Sequence, residues 1–293
     1  KITHLDESIM AQVDEALHRL EELKLEDNHP YISHAYFYKG KCYMSKKKWK
    51  QAERAFYNAL RSSQQTPYKE NNMEAASYLL LAICATIQND LERALDMINQ
   101  GLDAYVKTGE MPYIKHLLYK HKALLLERLG RYTEGMQLVQ NCWPMLKEFD
   151  DIETLLSFYW LRAELSRRTG LLEEGIEVAI EGINIARRNR QYASMYDLWT
   201  VLGSIYTELK NWEFAEHSFM IAKKLEALIP ADKRLITVHN RTGILYRKQN
   251  KITEAFESFQ QAIRYAEKFQ DFPQLVKNLT LIGELSYQTG ETE

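Results

Sequence analysis

The chain has 293 residues, 45% hydrophobic and 27% charged, which supplies apolar material for a sizeable core and argues against disorder. A net charge of −2 with a pI near 6.5 excludes a global electrostatic pull toward nucleic acid or an acidic membrane. Three cysteines without CxxC spacing suit a reducing compartment, and there is no apolar run long enough to span a bilayer, so a cytoplasmic location is expected.

In chain order, residues 1–25 read as an amphipathic helix with Ile9, Val13, Leu17 and Leu20 on one face. With its flank to residue 30 it is the second helix of a truncated repeat, or a cap. A register then sets in. Small residues stand at Gly40, Ala82, Ala123, Ala163, Gly203, Gly243 and Gly283, spaced by 42, 41 and then 40 residues. Twelve residues after each of the first six comes Ala52, Ala94, Gly135, Gly175, Ala215 and Ala255, and seven further on Ala59, Gly101, Cys142, Gly182, Ala222 and Ala262. Four residues before the first set stand Tyr36, Tyr78, Tyr119, Tyr159, Trp199, His239 and Leu279. Small positions let two helix backbones approach, and a large side chain one turn earlier fills the space beside them.

Each first helix is followed by a turn at Lys47, Asn89, Gly130, Gly170, Lys210, Asn250 and Gly290. Five of these seven are Gly or Asn, the residues that tolerate the left-handed conformation ending a helix. Two positions later an apolar residue, from Trp49 to Ile252, opens the second helix. Pro30, Pro67, Pro112, Pro230 and Pro273 fall between repeats, whereas Pro144 lies inside a predicted helix and should kink it. The spacing predicts one all-α array over residues 1–293, with repeats starting near 33, 75, 116, 156, 196 and 236 and a half repeat over 276–293.

Small residues at repeat positions 8, 20 and 27, an aromatic at 4, Tyr at 11 and Phe at 24 resemble the tetratricopeptide repeat. Trp199, Leu202, Gly203, Tyr206, Ala215, Phe219 and Ala222 carry the resemblance best, and Gly243, Tyr246, Ala255, Phe259 and Ala262 repeat it. Repeats three and four depart from it, with Gly at position 20 and no aromatic at position 11. The resemblance implies a right-handed superhelical solenoid of antiparallel helix pairs, whose first helices line a concave groove for extended peptides.

Repeats of about 40 residues further resemble the peptide-pheromone receptors of Gram-positive bacteria, the Rap, NprR, PlcR and PrgX group, with NprR-like receptors nearest. That resemblance implies an intracellular quorum-sensing regulator of transcription that binds a short signalling peptide and forms homo-oligomers. DNA would be contacted only through an N-terminal domain outside this chain. The alternatives are a general protein-docking scaffold and a Rap-like regulator that binds a response regulator.

No Gly-rich phosphate loop, HExxH or GxSxG motif occurs, so neither an enzyme, a metal nor a cofactor is expected. The lysine run Lys46-Lys47-Lys48 with Lys50 falls on a helix turn and reads as solvated surface. Asn240-Arg241-Thr242 and Asn278-Leu279-Thr280 fit the glycosylation acceptor pattern, which is accidental in a cytoplasmic chain. What remains is the groove. Positions facing it give Lys120, His121, Trp160, Glu164, Arg167, Asp197, Thr200, Ser204, Asn240, Arg241, Arg247 and Lys277 as candidate peptide-binding residues. The first two repeats add Phe37, Tyr38 and Lys41 and an apolar patch of Leu79, Leu80 and Ile83. Asn can pair with both polar groups of a peptide unit, and Arg or Lys can hold a carboxylate. Asn240→Ala is therefore expected to weaken binding by at least about 1 kcal/mol with the fold intact.

Overall fold

In the computed structural model, which describes residues 7–22, 29–146 and 151–289, every helix hairpin closes in the same way. Lys47, Asn89, Gly130, Gly170, Lys210 and Asn250 all have positive φ. The amide after each donates back to a carbonyl of the preceding turn, as in Lys48 N–H to Tyr43 O and Lys251 N–H to Tyr246 O, both at 2.9 Å. This is the left-handed helix stop, and it satisfies carbonyls that the helix end leaves open. Gly290 lies outside the described residues.

The described residues contain 14 α-helices and no strand. They divide into two compact units, residues 1–138 and 139–293. The first unit holds α1 (Glu7–Glu22), α2 (Pro30–Ser45), α3 (Trp49–Gln65), α4 (Met73–Ile87), α5 (Leu91–Ala104) and α6 (Tyr113–Arg128). Helix α7 (Tyr132–Leu146) carries the chain across the division. The second unit holds α8 (Ile152–Thr169), α9 (Leu172–Arg188), α10 (Tyr192–Glu208), α11 (Trp212–Leu225), α12 (Arg234–Lys248), α13 (Ile252–Lys268) and α14 (Phe272–Thr289). Pro144 sits in the last turn of α7, two residues before its end. A proline there removes the hydrogen bond of one amide, and the helix stops soon after.

The small positions are close-packing contacts. A Cβ built on Gly203 would stand 2.8 Å from the Phe219 ring, and one on Gly243 2.6 Å from Phe259. Gly40 faces Phe56 in the same way. Phe56, Phe219 and Phe259 are buried, as are Ala52, Ala59, Ala215, Ala222, Ala255 and Ala262 around them. Within these three hairpins the second helix thus presses its phenylalanine onto the bare backbone of the first.

In the first unit α1 packs on α2 through Leu17, which is buried. Leu79 and Leu80 are buried too, so these two members of the apolar groove patch expected from the sequence are core instead, and Ile83 is half-buried. A helix with apolar residues on nearly every side is enclosed on both faces, and α4 is such a helix. In the second unit the first helices of successive hairpins, α8, α10, α12 and α14, lie side by side. This places their shared face, one side chain per turn from each, in a row.

Candidate functional site

The row carries charge where packing alone would call for apolar residues. Glu164, near the middle of α8, is 1% exposed. Arg167 takes it in a bidentate grip, Nη2 to Oε1 at 2.6 Å and Nε to Oε2 at 3.1 Å, and also donates to Glu208 of α10. Arg168 Nε donates to Glu164 Oε1 at 3.0 Å. Arg241 arrives from α12, its Nη2 3.2 Å from the same oxygen and its Nη1 donating to Ser204 Oγ at 3.0 Å. Burial pushes the Glu164 carboxyl up, but Arg241, Arg167 and Arg168 outweigh it and hold the group at about 2. Helical spacing explains the convergence, since Glu164, Arg167 and Arg168 lie three and four residues apart on one helix surface.

Lys277 of α14 stands by this network. Its side chain reaches water, and among the described residues it makes no ion pair or hydrogen bond. Burial against the surrounding protein lowers its pKa, and Arg241, Arg168 and Arg167 lower it further, with Glu164 opposing them.

One helical stretch away on the same face, Asp197 of α10 is 3.2 Å from Arg234 Nε of α12. Arg234 is shared, for its Nη1 lies 2.8 Å from Asp232 Oδ2. Asp197 keeps about a third of its side chain exposed (32%), yet protein walls it on several sides. That burial, with Asp232 adding to it and Arg234 and Arg241 opposing, raises its carboxyl to about 7.

The remaining expected residues take different positions. Asn240 is 3% exposed and donates from Nδ2 to Asn278 Oδ1 at 2.7 Å, while the fully buried Asn278 donates to Gln274 O at 2.7 Å. Asn240→Ala would strip Asn278 of a buried partner, so the expectation of an undisturbed fold is corrected: the change costs stability as well. Thr200 is 3% exposed and spends its hydroxyl on Tyr196 O at 2.7 Å. Trp160 is half-buried against the second unit's core. Arg247 pairs with Glu284 at 2.9 Å. Lys120 and His121 belong to α6 in the first unit, where burial and then Lys120 lower His121 to about 4.

The structure therefore brings together Glu164, Arg167, Ser204 and Arg241 in one network, sets Lys277 beside it, and places Asp197 and Asn240 on the same row of helices. Sequence reasoning missed Arg168, Glu208, Asp232, Arg234 and Asn278. Arg168 directly follows an expected groove residue, and Arg234 opens α12 ahead of the first regular repeat position, so a fixed position list passes over both. Asn278 did leave a signal. The two Asn-x-Thr matches in the chain's last quarter mark the two asparagines that pair. Among the described residues no three of His, Cys, Asp and Glu converge as a metal site would need, and no helix is long and apolar enough to cross a membrane.

Residues 31–106 and 236–269 each match the tetratricopeptide repeat family. No curated protein sequence matches the chain. Among solved structures it is similar to a tetratricopeptide repeat protein from Parabacteroides merdae, with 15% identity over 92% of this chain and 91% of that one and a TM-score of 0.64. It is also similar to a Rap protein complexed with Competence and Sporulation Factor, with 11% identity, 88% and 76% coverage and a TM-score of 0.59. A third is YrrB, a tetratricopeptide repeat protein with an unusual peptide-binding site, with 13% identity, 73% and 92% coverage and a TM-score of 0.50. At these identities the likeness is one of fold. The chain carries tetratricopeptide repeats on an all-helical scaffold that it shares with Rap proteins.

Proposed function

We propose that the face shared by α8, α10, α12 and α14 is the floor of a groove that holds a short extended peptide, and that this chain is the sensing domain of a cytoplasmic quorum-sensing regulator. The observation that supports this most is Glu164, a carboxylate buried to 1% exposure among three guanidiniums. Buried ion networks add little to stability compared with apolar packing of the same volume. A fold that keeps one on the face shared by its first helices gains ordered donors and acceptors for a ligand. The peptide-binding site named for YrrB and the factor held by the Rap protein lend the reading support from proteins of the same fold.

On this reading the domain binds and does not catalyse, and the peptide changes the assembly of the chain. The test is affinity selection from a random hexapeptide pool with free termini, followed by calorimetry and light scattering on the peptides retained. Retention with low-micromolar affinity and a change in mass on binding is expected. A folded protein that retains no peptide overturns the reading. A general docking scaffold is the second reading, favoured by the exposed Tyr31 and Tyr68 of the first unit (65% and 62%), and capture of a protein tail with no response to short free peptides would support it.

A further inference from the structure

Helix α14 carries an apolar stripe that the described residues leave open. Phe272, Val276, Leu279 and Tyr287 are 68%, 62%, 52% and 79% exposed, and Gly283 between them is exposed too. At 3.6 residues per turn these five positions fall within about 80° of the helix circumference. Single exposed apolar side chains are ordinary, but a continuous stripe of them marks a surface that meets another.

The preceding hairpin shows how such a stripe is used. Forty residues earlier, α12 presents Ile236, His239 and Gly243 where α14 has Val276, Leu279 and Gly283. There Ile236 packs with Ala262 and Ala266 of α13, His239 stacks on Tyr265 at 5.5 Å, and the Phe259 ring presses on Gly243. The face is thus shaped for an antiparallel helix that brings a ring to the bare glycine.

Helix α14 carries such a ring itself. Phe272 and Gly283 stand at the two ends of a run, Phe272, Val276, Leu279, Gly283, whose intervals of four, three and four residues read the same in both directions. A second α14 laid antiparallel about a two-fold axis would set each Phe272 on the partner's Gly283 and each Val276 on the partner's Leu279. A Cβ built on Gly283 meets nothing within 4 Å, so the seat for the ring is open. We propose that the chain self-associates through this face, α14 on α14, as an isologous dimer in which each copy's Phe272 sits on the partner's Gly283. Aromatic side chains bury roughly 150–250 Å² each, so the stripe offers on the order of 400 Å² per copy. The pair falls short of the ~1,200 Å² at which standard interfaces begin, which suits a reversible dimer with a dissociation constant on the order of 50 μM.

Assembly on this face needs no peptide, so it is tested apart from peptide binding, by sedimentation equilibrium of the peptide-free chain from about 1 to about 500 μM. A monomer–dimer equilibrium is expected. Leu279→Lys and Gly283→Gln, both at exposed positions, should keep the circular dichroism of the folded chain and weaken the dimer at least about tenfold. Register is read by oxidative cross-linking. A mixture of Phe272→Cys and Gly283→Cys chains should form a disulfide-linked dimer several times faster than either chain alone, because only the mixture brings the two thiols within disulfide reach. The native Cys42, Cys84 and Cys142 are buried and do not compete. A folded chain that stays monomeric over the whole range overturns the proposal and leaves this face to a helix of another protein. A dimer that Leu279→Lys leaves intact, or Gly283→Cys chains that cross-link as fast alone as in the mixture, overturns it as well.

Discussion

Single residues decide the chemistry here, and Glu164 is the first of them. With three guanidiniums on one buried carboxylate, Glu164→Gln removes a counter-charge that Arg167, Arg168 and Arg241 share and should destabilise the second unit by about 3 kcal/mol, read from urea denaturation. Its pKa is depressed when folded, so its contribution is present above the ordinary carboxylate range and is lost as pH falls from about 4.5 toward 2. Asp197 has the opposite sign. Its pKa is raised when folded, so the folded state keeps a proton that the unfolded state releases, and stability from this group is lost as pH rises from about 4 to about 7. Asp197→Asn should therefore gain on the wild type across that window, by about 1–2 kcal/mol after allowing for solvent screening at a partly exposed side chain. A wild-type-minus-variant difference that is flat between pH 4 and 7 would show that Asp197 titrates normally. At this scale the sequence was only partly legible. Repeat position pointed to Glu164, Arg167, Ser204 and Arg241, because helical periodicity selects a face. It could not tell that Asn240 and Thr200 are covered by neighbouring elements, since burial depends on how tightly adjacent helices pack.

At the scale of elements the sequence was far more informative, because the same packing contact recurs at a fixed period. Gly203 and Gly243 are each pressed by a phenylalanine from the paired helix, so Gly243→Ala should cost about 1–3 kcal/mol as the Phe259 ring is displaced. Gly283 stands at the same repeat position in α14, where a Cβ would meet nothing within 4 Å. Gly283→Ala should instead stabilise by about 0.5–1 kcal/mol through helix propensity, and thermal melts of the two variants should shift in opposite directions. The turns offer a second check. Lys210 holds a left-handed conformation, φ 58°, that costs a side-chain-bearing residue energy, so Lys210→Gly should raise the melting temperature by an amount corresponding to about 1 kcal/mol. The links between hairpins were less legible than the turns within them. Met111, Arg190 and Gln270 also take positive φ, yet none is a residue type that signals it.

For the whole molecule the relevant fact is that stability is spread over repeated hairpins, each resting on its neighbours. A bound peptide at one hundred times its Kd adds about 2.7 kcal/mol to the state that holds it. Since the charged row belongs to the second unit, slowed hydrogen exchange on binding should concentrate in α8, α10, α12 and α14. Equal slowing in α2, α4 and α6 would place the ligand on a different surface. Composition alone spoke to this scale only by exclusion: a chain of net charge −2 has no global field, and its local fields had to be found residue by residue.

The three cysteines give the molecule a set of internal clocks. Cys42 in α2, Cys84 in α4 and Cys142 in α7 are all buried, at 0%, 0% and 2% exposure, and burial pushes the Cys84 thiol up to about 12. A thiol reagent can reach them only when the surrounding helices part, so labelling rates count opening events. Cys42 and Cys84 time the first unit and Cys142 the second, which makes local breathing measurable in the natural sequence without an added probe.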